Sequence, residues 1–91
     1  MVQKSVKIVN RLGMHARPSA MFVSHASSYN AEIFVEKAGL KVNGKSIMGV
    51  MMLAAEMGSE LIITAEGEDE GQAIDDLVGL VKSGFGDLKN L

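Results

Sequence analysis

The sequence predicts an α+β domain in which a four-stranded, mainly antiparallel sheet carries three helices on one face. Segments of alternating hydrophobicity and of helical hydrophobicity succeed one another in the order β-α-β-β-α-β-α. None of the strand-like segments reads as buried on both faces, which a strand between two helix layers would be. The chain has 91 residues, 47% of them hydrophobic, enough for one core and too few for two, so residues 1–91 read as a single domain.

In "KSVKIV", Val6 and Ile8 share one side and Ser5 and Lys7 the other, the period of a half-buried strand. After the "NRLG" loop, a first helix over Ala16 to Ser27 places Phe22, Val23 and Ala26 on one face and leaves Ala20 and Met21 off it. "AEIFVEKAG" gives a second strand with Ile33 and Val35 inward, turning at Gly39 into a short third strand with Leu40 and Val42. Asn43-Gly44 is an equally strong turn signal, so periodicity leaves two places where the hairpin can close. "SIMGVMMLAA" reads as a second helix with Ser46 as N-cap, slightly weakened by Gly49. "ELIITAEG" alternates again, and "DEGQAIDDLVGLVKSGF" carries Ile74, Leu77, Val78 and Val81 at helical spacing. Asp69 with Gln72 three residues on predicts a capping box for that third helix. Gly84 and Gly86 end or fray it, and the tail "SGFGDLKNL" carries no functional signal.

The absence of cysteine removes disulfides and thiolate zinc sites and agrees with a reducing compartment. No metal or cofactor is called for. The opening "MVQKSVKIVN" lacks the apolar run of a signal peptide, and no apolar stretch approaches the ~18 residues of a membrane span. A cytoplasmic protein with no membrane insertion is expected. Arg11, Arg17, Lys41 and Lys45 lie in the first half and most carboxylates in the second, but there is no basic stripe, and Phe22, Tyr29, Phe34 and Phe85 are the only aromatics. Direct nucleic-acid binding is therefore not expected.

Chemistry concentrates in "GMHARPSA", residues 13–20. Gly13 allows an unusual backbone, Pro18 favours a first helical turn, and Arg17, preceding proline, is biased away from helical geometry. His15 then sits at or just before a helix N-terminus, where free amides and the helix dipole receive an anion and Arg17 adds a forked cationic donor. That field suits an imidazole that takes up and carries a phosphoryl group. His25, mid-helix without cation or glycine loop beside it, reads as surface or packing. No hydrolase triad pairs Ser19 or Ser46 with a histidine, and the acidic cluster at 66–70 lacks the ligand spacing of a calcium loop.

With His15, Arg17 and Pro18 in "GMHARP" and "KSIMGVMML" further on, the chain resembles the HPr family of histidine-containing phosphocarriers of the bacterial phosphoenolpyruvate-dependent phosphotransferase system. The resemblance runs nearly end to end. It implies an open-faced β-sandwich with its hairpin at Gly39, and a monomeric, stoichiometric carrier rather than an enzyme. His15 matches the residue that accepts a phosphoryl group on Nδ1 from phosphorylated Enzyme I and passes it to a sugar-specific IIA protein, with Arg17 as charge stabiliser. Ser46 matches the regulatory serine phosphorylated by HPr kinase/phosphorylase, which implies carbon catabolite regulation through a transcription factor. Ile47, Met48, Met51 and Met52, joined by Ala20 and Met21, are expected to form the partner-binding patch, with one of the three helix methionines turned inward. Two alternatives stay open: a purely regulatory binding protein controlled at Ser46, and the carrier of a nitrogen-related phosphotransferase branch.

Overall fold

The computed structural model describes residues 1–86. Strand β1 covers Val2–Lys7, helix α1 Ala16–Ser27, strand β2 Glu32–Lys37, strand β3 Leu40–Asn43, helix α2 Ile47–Met52, strand β4 Glu60–Glu66 and helix α3 Glu70–Lys82. The expected order is thus found. The strands form one sheet in the order β1-β4-β2-β3, and all three pairings are antiparallel.

Register follows from the alternation. Val6 lies opposite Leu61, Val35 opposite Ile63 and Ile33 opposite Ala65, so these side chains share the face that the helices cover. All six are buried, and α1 contributes Phe22, Val23 and Ala26 while α3 contributes Ile74, Leu77, Val78 and Val81. Each large apolar side chain removed from water contributes about 1.5–3 kcal/mol. The open face is not uniformly wet: Thr64 of central strand β4 is buried there, with Gln3 Nε2 donating to its Oγ1 at 3.2 Å. Part of β4 is therefore covered on both sides, which strict alternation did not foretell. On the same face the Lys41 ammonium lies 4.9 Å from the centre of the Phe34 ring.

The hairpin closes through Ala38-Gly39, with Lys37 opposite Leu40 and positive φ at both loop residues, 50° and 89°. Asn43-Gly44 leads into α2 instead, and Gly44 N–H donates to Ile33 O at 2.7 Å.

Two expectations are corrected. Helix α2 stops after six residues instead of running through Ala55, because Leu53 turns into the core and Ala54 reverses the chain at φ 47°. The capping box of α3 does not form: the Asp69 carboxylate makes no cap bond and accepts instead from the backbone N–H of Asn30 and Ala31, both at 2.8 Å. Glu70 folds back to accept Gly67 N–H at 3.1 Å. Helix α3 ends at Lys82, just before Gly84 and Gly86 as expected, and positive φ at Gly84, Phe85 and Gly86 sets the Phe85 ring fully into the core. The last tail residues, 87–91, lie outside the described part.

Candidate functional site: the start of helix α1

The loop before α1 is built around Asn10, which is wholly buried. Its Nδ2 donates to Gly13 O at 2.9 Å, and Gly13 N–H returns a bond to Asn10 O at 3.2 Å. Gly13 sits at φ 67°, and a Cβ there would lie 2.3 Å from Ala55 O and 2.9 Å from Glu56 Cα. Only glycine allows the loop to lie so close against the segment leaving α2. Met14 N–H then donates to Ala55 O at 2.8 Å, the Met14 side chain is buried, and Ser19 Oγ donates to Met14 O at 3.1 Å. Residues 10–14 are therefore fixed from both sides.

His15 is the N-cap residue of α1, extended at φ −81° and ψ −168°, and its side chain makes no capping bond. Its carbonyl accepts the first helical bond from Ser19 N–H at 3.0 Å. The first turn contains no acidic residue, so no internal carboxylate competes for the positive helix end. The ring is partly exposed, and its Nε2 is buried with no hydrogen-bond partner among the described residues. Nδ1 is not enclosed in that way.

Arg17 is the second residue of α1, so the bias imposed by Pro18 is overridden and the helix begins two residues ahead of the proline. A proline at that depth removes a donor that has no partner inside the helix anyway. Arg17 Nη1 donates to Met21 Sδ one turn on, at 3.3 Å.

Ser46 caps α2 as expected: its Oγ accepts Gly49 N–H at 3.1 Å. At the other end of this helix Lys37 Nζ reaches Leu53 O at 3.1 Å and Ala54 O at 3.2 Å, a cation where the dipole favours one. Met48, Met51 and Met52 are 78%, 42% and 68% exposed, so none of the three turns inward; Val50 and Leu53 supply the buried face. Ile47 and Ala20 are also exposed, whereas Met21 is half covered against the core. Helices α1 and α2 pack on each other, which brings these residues to one side of the molecule.

Leu12, 75% exposed, and Met57, 58% exposed, are the chain neighbours of Gly13 and Glu56 and are likewise apolar side chains left in water. The sequence reading missed both, and the only signal was their lack of an amphipathic partner pattern. His25 belongs elsewhere, ten positions on and about 15 Å along the helix. Its Nδ1 lies 3.0 Å from Asp76 Oδ1, and Tyr29 OH donates to Asp76 Oδ2 at 2.7 Å, pinning α1 to α3. That hydrogen bond, and burial after it, hold the Tyr29 phenol above its ordinary pKa.

Among the described residues no cluster of three or more His, Asp or Glu suits a metal ion, and no helix is long and apolar enough to cross a membrane.

Residues 2–83 match the family model described as PTS HPr component phosphorylation site. The chain is 45% identical over 82 residues to the HPr-like protein Crh of Bacillus subtilis, spanning 90% of this chain and 96% of that one. To the phosphocarrier protein HPr of Neisseria meningitidis serogroup A it is 44% identical over 87 residues, 96% of this chain and 98% of that one. The crystal structure of HPr from Thermoanaerobacter tengcongensis matches with a TM-score of 0.91 at 48% identity, covering 94% of this chain and 97% of the other. A dimer of HPr from that organism matches with a TM-score of 0.75. The chain thus belongs to the HPr family, as a cytoplasmic component of the phosphotransferase system rather than an enzyme.

Proposed function

We propose that this protein is a phosphocarrier that accepts a phosphoryl group on His15 Nδ1 from phosphorylated Enzyme I and hands it to a IIA protein for sugar uptake. The observation that carries the reading is a histidine placed as an N-cap that does not cap, with Nε2 enclosed and Nδ1 left as the nitrogen a donor can approach. In the transfer, the lone pair of Nδ1 forms a P–N bond as the donor's P–N bond breaks, and the same step runs in the other direction toward the acceptor. The uncapped start of α1 stabilises the phosphoryl oxygens, and Arg17 supplies positive charge beside them. Incubation with phosphoenolpyruvate and Enzyme I should give an acid-labile, base-stable adduct with a phosphoramidate signal in phosphorus NMR, absent from His15→Ala. An acid-stable adduct, or none, refutes the proposal.

Ser46 is the regulatory acceptor for HPr kinase/phosphorylase in this reading. A phosphate on its Oγ keeps oxygens facing the first amides of α2, so the helix persists. Its charge instead falls among Ile47, Met48, Met51 and Met52, the docking patch, together with Ala20 and Met21. Docking of acidic partners weakens, and a catabolite-control transcription factor gains a feature to recognise. Acid-stable label from ATP and the kinase should disappear in Ser46→Ala.

Similarity to Crh favours a second reading, a regulatory protein controlled at Ser46 alone. The presence of both His15 and Arg17 weighs against it, because a pure regulator needs neither. Which IIA protein accepts the phosphoryl group separates sugar uptake from the nitrogen-related branch. A monomer suffices for either, and sedimentation at working concentration tests this against the dimer seen for the Thermoanaerobacter protein.

A further inference from the structure

We propose that the methionines of α2 are an oxidation-sensitive modification site: Met48, Met51 and Met52 are converted by hydrogen peroxide to sulfoxides, and docking to Enzyme I is thereby weakened. The inference rests on the docking reading above. Three of the six residues of α2 from Ile47 to Met52 are methionines, and all three are exposed. No cysteine in the chain competes for the oxidant, so thioethers are its most readily oxidised side chains. Within the same fold Met14 is buried, and Met21 is half covered with its sulfur engaged by Arg17 Nη1–H at 3.3 Å. Met1 and Met57 are exposed as well, at 75% and 58%, so the structure ranks the methionines of α2, Met1 and Met57 ahead of Met21 and puts Met14 last, and a variant lacking only the α2 methionines separates their effect from that of the other two.

In the chemical step a sulfur lone pair attacks one peroxide oxygen. An S–O bond forms as the O–O bond breaks, the second oxygen leaves as water after taking up the proton, and the thioether is oxidised by two electrons while the peroxide is reduced. A flexible apolar side chain becomes a polar one with a strong acceptor oxygen. On a surface whose binding depends on desolvating thioethers, that change opposes association while leaving His15 untouched.

The full chain is titrated with hydrogen peroxide, each methionine is followed by peptide mass mapping, and the reaction is quenched before Met21 reacts. At that dose kcat/KM for phosphoryl acceptance from Enzyme I should fall about fivefold or more. Labelling of His15 by phosphoramidate, a small donor that needs no docking surface, should change less than about twofold. Methionine sulfoxide reductase with a thiol reductant should restore the rate. The variant Met48→Leu/Met51→Leu/Met52→Leu, compared with its own rate before peroxide, should be insensitive. An unchanged kcat/KM with α2 fully converted overturns the proposal, as does an equal loss in the triple variant or an equal loss with both donors. Failure of both donors to label His15 before any peroxide overturns the carrier reading, and this inference with it.

Discussion

Gly13 concentrates two requirements on one residue, a positive φ and a backbone approach that no side chain can share. Replacing it with alanine is expected to cost about 2–4 kcal/mol, the strain of φ 67° adding to displacement of the Ala55–Glu56 segment. Urea unfolding measures that cost, and phosphoryl acceptance by the folded fraction should slow because His15 is displaced with the loop. A stability within about 0.5 kcal/mol of the parent, the scatter of ordinary surface changes, would contradict this. At this scale the placement of His15 and Arg17 at the start of α1 and of Ser46 before α2 was legible from local signatures: a glycine and a proline around the first, and a serine before an apolar run for the second. Asn10 was not. A buried asparagine whose amide closes the turn onto Gly13 looks like any loop residue until the fold encloses it. Nor did spacing reveal that all three methionines of α2 face outward, since so short a helix needs only Val50, with Leu53 after it, to hold it down.

Among the elements, α2 depends most on its ends. With only six residues it cannot stand on propensity, and the Ser46 cap at one end and Lys37 at the other satisfy groups the helix cannot satisfy itself. Ser46→Ala should lower stability by about 1 kcal/mol, while Ser46→Asp, also a good cap, should keep the fold and weaken transfer from Enzyme I. Thermal melts paired with transfer kinetics separate the two effects. The turn before α3 behaves differently. Bonding to Asn30 N–H, opposed by desolvation and reinforced by Ala31 N–H, holds Asp69 below the ordinary carboxylate pKa, and Glu70 is lowered first by Gly67 N–H. Both contributions are complete above the unfolded-chain values of about 4 and are lost as pH falls through the lower folded values. Asp69→Asn should therefore flatten the acid limb of the stability profile below about pH 4, read from urea midpoints across an acid series. The order of the elements could be read from periodicity, except that the hairpin between β2 and β3 was placed at Gly39 only through the family resemblance. The bounds of α1, Ala16 to Ser27, could be read as well, but the end of α2 and the start of α3 could not, because Ala54 and Asp69 answer to distant backbone and core rather than to their neighbours in sequence.

For the molecule as a whole, one core serves both sheet and helices, so a cavity at its centre is felt everywhere. Leu61, fully buried on central strand β4, should cost about 2–5 kcal/mol as alanine, a large share of the roughly 5–15 kcal/mol that holds such a domain together. A single cooperative denaturation curve shifted to lower urea checks it, and a biphasic one would show that the layers unfold separately. The strand order was not visible in the sequence, since alternation says which side of a strand is apolar and nothing of its neighbours. What that order leaves at the margins is telling. The two rims of the sheet are β1, which carries Lys4 and Lys7, and β3, four residues long and bearing Lys41. Short, lysine-studded rims discourage a second copy from adding its own strand there. Edge-to-edge addition of copies is accordingly disfavoured, which leaves the exposed side chains of α2 as the apolar surface open to another molecule.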